Sequence, residues 1–331
     1  MKQTLNKLGV RYLIFGLEFL GLQILLGFLL NKFAPDFLAE HQVGISLGMT
    51  VLAVDIIGVS LVWLLTKNLP KANLPKAKLG FWNLLLMILI MAGLAGTGTI
   101  IGLIPHTIIT SLIPAEGTGL LGLMLGSSML PRVIVVGILA PICEELIFRK
   151  FLIDRLAQHG ELVTILASGI MFGLFHGNFQ QCFMAMLIGF LFAFVYIRTG
   201  KIIYSMILHA TMNLTTSVIT IGLYSWLCSV PLSQGYSVEE IFSDTLTFTG
   251  QDGSKMLIAL AVVCLWVMFL TLVFVSGLVV LIIFLCKRKF KLRRKEDQEP
   301  FSAQAKALFT SWGMWTFFLL CAVLFLHSYL P

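Results

Sequence analysis

The chain has 331 residues, 58% of them hydrophobic and only 12% charged, with a mean hydropathy of +0.95. Soluble domains carry about twice that charged share, which excludes a water-soluble globular fold. The net charge of +7 does not point to nucleic acid, because the lysines and arginines cluster in short connectors between apolar runs, as membrane-protein loops require.

Apolar runs of about 20 residues, each enough to cross a hydrocarbon core of roughly 30 Å, predict nine spans. They lie near 10–31, 43–66, 82–104, 132–152, 162–176, 182–199, 202–228, 256–286 and 307–327. Helices satisfy their backbone polar groups internally in lipid. The expected fold is therefore an all-α polytopic transmembrane helix bundle of eight or nine spans. Lys2, Lys7 and Arg11 precede the first run, which predicts a cytoplasmic N-terminus. The connectors bearing Lys67, Lys71, Lys76 and Lys78, then Arg149, Lys150 and Arg155, then Arg198 and Lys201, fall on the same side, as does "KRKFKLRRK" at 287–295. Asp36, Glu40, Glu116, Glu239, Glu240, Asp244 and Asp252 fall on the other. The first run has no small-residue cleavage site after it and is expected to stay as an anchor. An integral protein of a bacterial plasma membrane is the expected setting.

The segment 105–130, with Gly, Ser and Thr scattered through moderate hydrophobicity, reads as an outer loop with an interfacial helix. The 287–295 run reads as a solvated connector touching anionic lipid headgroups. Cys143, Cys182, Cys228, Cys264, Cys286 and Cys321 form no CxxC pair and read as small packing residues. His41, His106, His159 and His327 fall in loops or at span ends. The chain divides into N-terminal transmembrane helices (1–129), a core rich in intramembrane polar residues (130–225), and C-terminal helices with the basic connector (226–331).

Ionisable side chains inside a span cost several kcal/mol and normally face a cavity or a partner. Three stretches of the core concentrate them: "EELIFR" at 144–149, "FGLFHGN" at 172–178 and "LHATMN" at 208–213. Residues four apart share a helix face, whereas neighbours diverge by about 100°. Glu145 and Arg149 can therefore pair, while Glu144 points elsewhere, free for general base and acid work. His209 and Asn213 share a face and are expected to direct N–H donors at one point, as an oxyanion requires. Phe172 and His176 share another, where the ring can orient the imidazole.

"EELIFR", "FGLFH" and "HATMN" resemble the EExxxR, FxxxH and HxxxN motifs of the CPBP intramembrane proteases, which include the CAAX prenyl proteases and the bacterial Abi proteins. The motifs occur in order, and the likeness covers roughly 130–225. It implies a peptide-bond hydrolase in which Glu144 and His176 activate a water, His209 and Asn213 stabilise the oxyanion, and Glu145, Arg149 and Phe172 give support. A membrane-associated peptide or a prenylated protein is the implied substrate. A metal-free mechanism is expected, with zinc held by Glu144, His176 and His209 as the competing account. Two other readings stand beside it. One is a non-catalytic bacteriocin-immunity or scaffold protein. The other is a transporter, for which Glu18 and Asp55 supply further buried acids, each otherwise a packing residue or half of an unseen pair.

Overall fold

The computed structural model describes residues 1–113, 128–232, 250–294 and 296–329. Among these residues the regular structure is helical, with no strand. In chain order the helices are α1 (Lys2–Phe33), α2 (Pro35–Thr66), α3 (Phe81–Leu112), α4 (129–156), α5 (Glu161–Phe175), α6 (Phe179–Thr199), α7 (Ile202–Leu227), α8 (Gly250–Cys286), α9 (Phe301–Phe309) and α10 (Trp312–Tyr329). Among the described residues seven of them, α1, α2, α3, α6, α7, α8 and α10, are long and apolar enough to cross a membrane. The protein is an integral membrane protein built as a helical bundle.

Two of the nine expected spans are not of that kind. The run at 162–176 is α5, whose 15 residues reach only about 22 Å at 1.5 Å per residue, short of the bilayer core. The run at 132–152 lies in α4, whose winding loosens into π-turns at Arg132–Leu139 and Leu146–Phe151 and which carries six charged side chains from Glu144 to Arg155. The expected loop at 105–130 also starts later, because α3 runs through Pro105 to Leu112. A proline removes one backbone bond, and the flanking turns carry the helix across. Residues 114–127, with Glu116, lie outside the described residues, as do Glu239, Glu240, Asp244 and Lys295, while Asp252 falls in the first turn of α8.

The hairpin of α5 and α6 sits at the centre, with α6 against α3 on its other side. Next to it α4 and α7 pack together, α1 and α2 close one flank with α10, and α8 lies over α3 and α7. Small residues allow the closest approach: a Cβ on Gly93 of α3 would stand 2.8 Å from the Gly277 backbone of α8. His106 is not at a span end. It lies within α3, where its Nδ1 meets the Tyr329 hydroxyl at 2.9 Å and its Nε2 meets Gln180 Nε2 at 2.9 Å, tying α3 to α10 and α6. Cys143, Cys182 and Cys321 are buried, whereas Cys264 and Cys286 lie on exposed helix faces.

Two extended connectors wrap the lysine- and arginine-rich end. In the first, Ala72 N–H donates to Asp154 O at 2.6 Å and Ala77 N–H to Thr199 O at 2.9 Å. In the second, Arg293 N–H donates to Glu161 Oε2 at 2.6 Å, and Arg198 holds both Glu161 and the Lys291 carbonyl, at 2.9 and 2.7 Å. These bonds brace the start of α5 and the ends of α4 and α6, and so set the depth of the polar core.

Candidate active site

The turn between α5 and α6 places the first histidine. His176 closes α5, Gly177 takes the left-handed φ of +66° that favours glycine, and Asn178 opens α6. The Asn178 side chain does two jobs: Oδ1 accepts from Gln181 N–H at 3.0 Å as an N-cap, and Nδ2 donates to His176 O at 2.8 Å. His176 Nδ1 lies 2.8 Å from the Phe172 carbonyl. A carbonyl only accepts, so Nδ1 carries the proton and Nε2 of the neutral ring is left as an acceptor.

Helix α4 delivers the acids. Glu145 and Arg149 are fully buried, with Nε 3.2 Å from Oε2. The contact is electrostatic and not an aligned hydrogen bond. Arg149 gains further support from Ser168, whose Oγ accepts from Nη1 at 3.3 Å and donates to Phe148 O at 2.8 Å. Its guanidinium also lies over the Phe172 ring at 4.4 Å and the Phe192 ring at 5.6 Å. Gly189 makes room for this stack: a Cβ there would meet Phe172 Cδ1 at 3.2 Å and Arg149 Nη2 at 3.6 Å.

His209 of α7 joins the two acids. Its Nδ1 donates to Glu145 Oε1 at 3.1 Å, and its Nε2 lies 3.6 Å from Glu144 Oε2. The result is a chain running Arg149, Glu145, His209, Glu144. Phe172 meets both imidazoles edge to face, with centroids 4.9 Å from His176 and 5.5 Å from His209. Glu144 also lies within Coulombic reach of His176. Its side chain is 24% exposed, against none for Glu145, so Glu144 is the acid that borders accessible space.

These positions meet and depart from the expectations. Glu145 pairs with Arg149, and Phe172 shares a face with His176, as the spacing predicts. Glu144, however, is not isolated from Glu145: the two edges of one imidazole bridge them, an arrangement that no spacing within α4 encodes. The Asn213 amide, expected to face the oxyanion with His209, already spends one donor elsewhere. Asn213 Nδ2 donates to Val136 O at 2.8 Å, and the reason is local. In the widened turn Ala140 N–H bonds Val135 O; the next residue, Pro141, has no N–H to offer Val136 O. Asn213 supplies the missing donor and keeps one amide N–H to spare. Sequence reasoning missed Ser168, Phe192 and Tyr12. Tyr12 of α1 donates its hydroxyl to Ile147 O inside the EELIFR turn, and no local pattern in α1 marks it.

Comparison with known proteins places the likeness in this polar core. Residues 126–215 match the model of the family described as type II CAAX prenyl endopeptidase, Rce1-like. The core of this chain is similar to that family. YdiL of Bacillus subtilis (strain 168), whose name assigns it provisionally as a membrane peptidase, is 35% identical over 82 residues, covering 24% of this chain and 34% of that protein. The UPF0177 protein YxdF of Lactococcus lactis subsp. lactis (strain IL1403) is 29% identical over 135 residues, covering 40% of this chain and 73% of that protein. The match thus spans about a third of YdiL and nearly three quarters of YxdF. No solved structure matches. All three motif stretches lie in the Rce1-like core, while α1, α2, α3, α8, α9 and α10 lie outside it.

Among the described residues no three His, Cys, Asp or Glu side chains converge as metal donors. In Glu144, His176 and His209, the set named by the competing zinc account, Nε2 of His209 faces Glu144 at 3.6 Å and the two Nδ1 atoms are engaged by Phe172 O and Glu145. No step below passes through a metal.

Proposed function

We propose that this chain is an intramembrane endopeptidase of the glutamate type, acting on a membrane-associated peptide or a prenylated protein. The observation that carries the reading is the facing of Glu144 and His209 at 3.6 Å, with His209 anchored from behind by the fully buried Glu145 and Arg149. Preorganised polar groups in a water-poor site gain catalytic weight because they need no reorganisation as charge develops.

In the proposed reaction Glu144 takes a proton from a water that also donates to Nε2 of His176. The water oxygen attacks the scissile carbonyl carbon, and the carbonyl π pair moves to oxygen. His209, with a proton on each ring nitrogen between Glu145 and Glu144, and the spare N–H of Asn213 are the donors assigned to that oxyanion. As the intermediate collapses, the proton on Glu144 passes to the leaving amide nitrogen and the C–N bond breaks. Phe172 keeps both imidazoles in register, while Glu145 and Arg149 hold His209 and do not touch substrate. The N-terminus is assigned to the cytoplasm and the setting to a bacterial plasma membrane, on the basic-residue bias of the connectors.

The test is peptide profiling of membranes carrying the wild-type protein against membranes carrying Glu144→Gln at equal abundance. Products that vanish with Glu144→Gln support the reading and name the substrate. Identical profiles overturn it.

A further inference from the structure

Tyr329, at the end of α10, reaches the turn that carries His176 from outside residues 126–215, the segment that matches the family. Its hydroxyl oxygen accepts from Phe179 N–H at 3.0 Å. That N–H opens α6, where the first donors of a helix have no partner within it. The same oxygen lies 2.9 Å from Nδ1 of His106 on α3, whose Nε2 meets the Gln180 side chain at 2.9 Å. The Asn178–Phe179 peptide is thereby tied at both edges, because its carbonyl accepts from Cys182 N–H at 3.0 Å.

That peptide starts at the residue that holds His176. Asn178 Nδ2 donates to the His176 carbonyl at 2.8 Å, while Oδ1 caps α6. Two further contacts press α10 onto the same turn. A Cβ on Gly177 would meet Leu324 Cβ at 3.1 Å, and the Phe325 ring meets the Phe179 ring edge to face at 4.7 Å. Those contacts are apolar and would persist with a phenylalanine at 329. What the hydroxyl adds is direction. A hydrogen bond weakens steeply as it leaves alignment, so Tyr329 fixes the tilt of a peptide that apolar packing leaves free to rock. In the proposed reaction His176 Nε2 accepts from the attacking water, and a misplacement of about 1 Å at such a point can cost 10²-fold.

We infer that Tyr329 is a positioning residue for the reaction: through Phe179 and Asn178 it holds His176 where Nε2 meets the attacking water, and His106 steadies the hydroxyl from the other side. Tyr329 acts through His176 and touches no reacting atom. The inference rests on the protease reading above. It gives α10 and α3, both outside the matched segment, a part in setting the geometry of the site.

The test uses the full-length protein in vesicles of phosphatidylglycerol and phosphatidylethanolamine with a quenched fluorogenic peptide library. The peptide cleaved fastest by wild type and spared by Glu144→Gln becomes the reporter. Tyr329→Phe keeps the ring and removes only the oxygen. At wild-type membrane abundance and thermal midpoint it should lose about 10-fold in kcat with KM unchanged, the lower end of what outer residues that orient a functional histidine are worth. His106→Leu, which leaves the hydroxyl on Phe179 but removes its other support, should fall between wild type and Tyr329→Phe. A structural role alone would lower abundance or the midpoint and leave kcat per folded molecule at the wild-type value. If Tyr329→Phe does not reach the membrane, a lowered kcat at unchanged KM in His106→Leu supports the inference, and a wild-type kcat there overturns it. Wild-type kcat in folded Tyr329→Phe, or a loss confined to KM, overturns it and leaves the protease reading standing. If no peptide is cleaved in a Glu144-dependent way, the protease reading falls and the role of Tyr329 falls with it.

Discussion

Glu144 and Glu145 are chemical twins that burial sends to different tasks. Glu145 is sealed from solvent and held on both sides, by the charge of Arg149 and by a hydrogen bond from His209. Glu144 keeps a quarter of its side chain accessible and faces one edge of His209. Glu144→Gln preserves size but abolishes the base, so kcat should fall by about 10³-fold, within the usual worth of general acid–base catalysis, while thermal stability in detergent stays near wild type. Glu145→Gln should do the reverse in kind. It strands a fully buried guanidinium, which costs about 3–5 kcal/mol, and the thermal midpoint and membrane abundance should drop along with activity. Equal stability losses in the two variants would contradict this division. The pairing of Glu145 with Arg149 was legible because both lie on one helix, where spacing is geometry. The bridge through His209 was not, since it depends on how α4 and α7 cross, and crossing is set by packing that single-chain spacing does not encode.

Helix α4 shows how one proline reshapes an element. Pro141 leaves Val136 O without a backbone donor, the winding around it loosens, and the Asn213 amide fills the gap at 2.8 Å. Widened turns of this kind recur at functional sites, and a second one runs through Leu146–Phe151. Pro141→Ala restores an N–H that competes for Val136 O. The helix should gain stability, while Asn213 loses its anchor and the oxyanion loses a fixed donor. A raised thermal midpoint together with a lowered kcat is the expected result, and Asn213→Ala should add little further loss in that background. Unchanged turnover in Pro141→Ala would separate Asn213 from the reaction. At this scale apolar run length marked the seven long helices well, because each run had to match the bilayer. It misjudged α5, where a run long enough to suggest a span ends in the turn built by His176, Gly177 and Asn178, and it could not register the loosened winding of α4.

The whole molecule sets its core between two differently finished ends. At the basic end Arg198, Lys289, Lys291, Arg293 and Arg294 line a cavity of about 690 Å³ beside Phe194. The connector that carries four of them is held by its backbone, through Arg293 N–H on Glu161 and the Lys291 carbonyl on Arg198, and by Phe290 packed edge to face on Phe194 at 5.0 Å. The exposed cationic side chains of Lys289, Lys291, Arg293 and Arg294 are therefore surplus to holding the fold. Basic residues near an anionic membrane surface contribute about 1 kcal/mol each, an attraction that salt screens over roughly 10 Å. Replacing the four by Gln should leave the connector docked and the thermal midpoint close to wild type. The same replacement should strip co-purifying phosphatidylglycerol and cardiolipin, counted by mass spectrometry of the detergent-solubilised protein. Raising salt during solubilisation should remove the lipid from wild type in the same order, because the interaction is Coulombic. Retention of the lipid by the fourfold variant would assign the cavity to some other role, and a collapse in stability would mean that these side chains brace the ends of α5 and α6 after all.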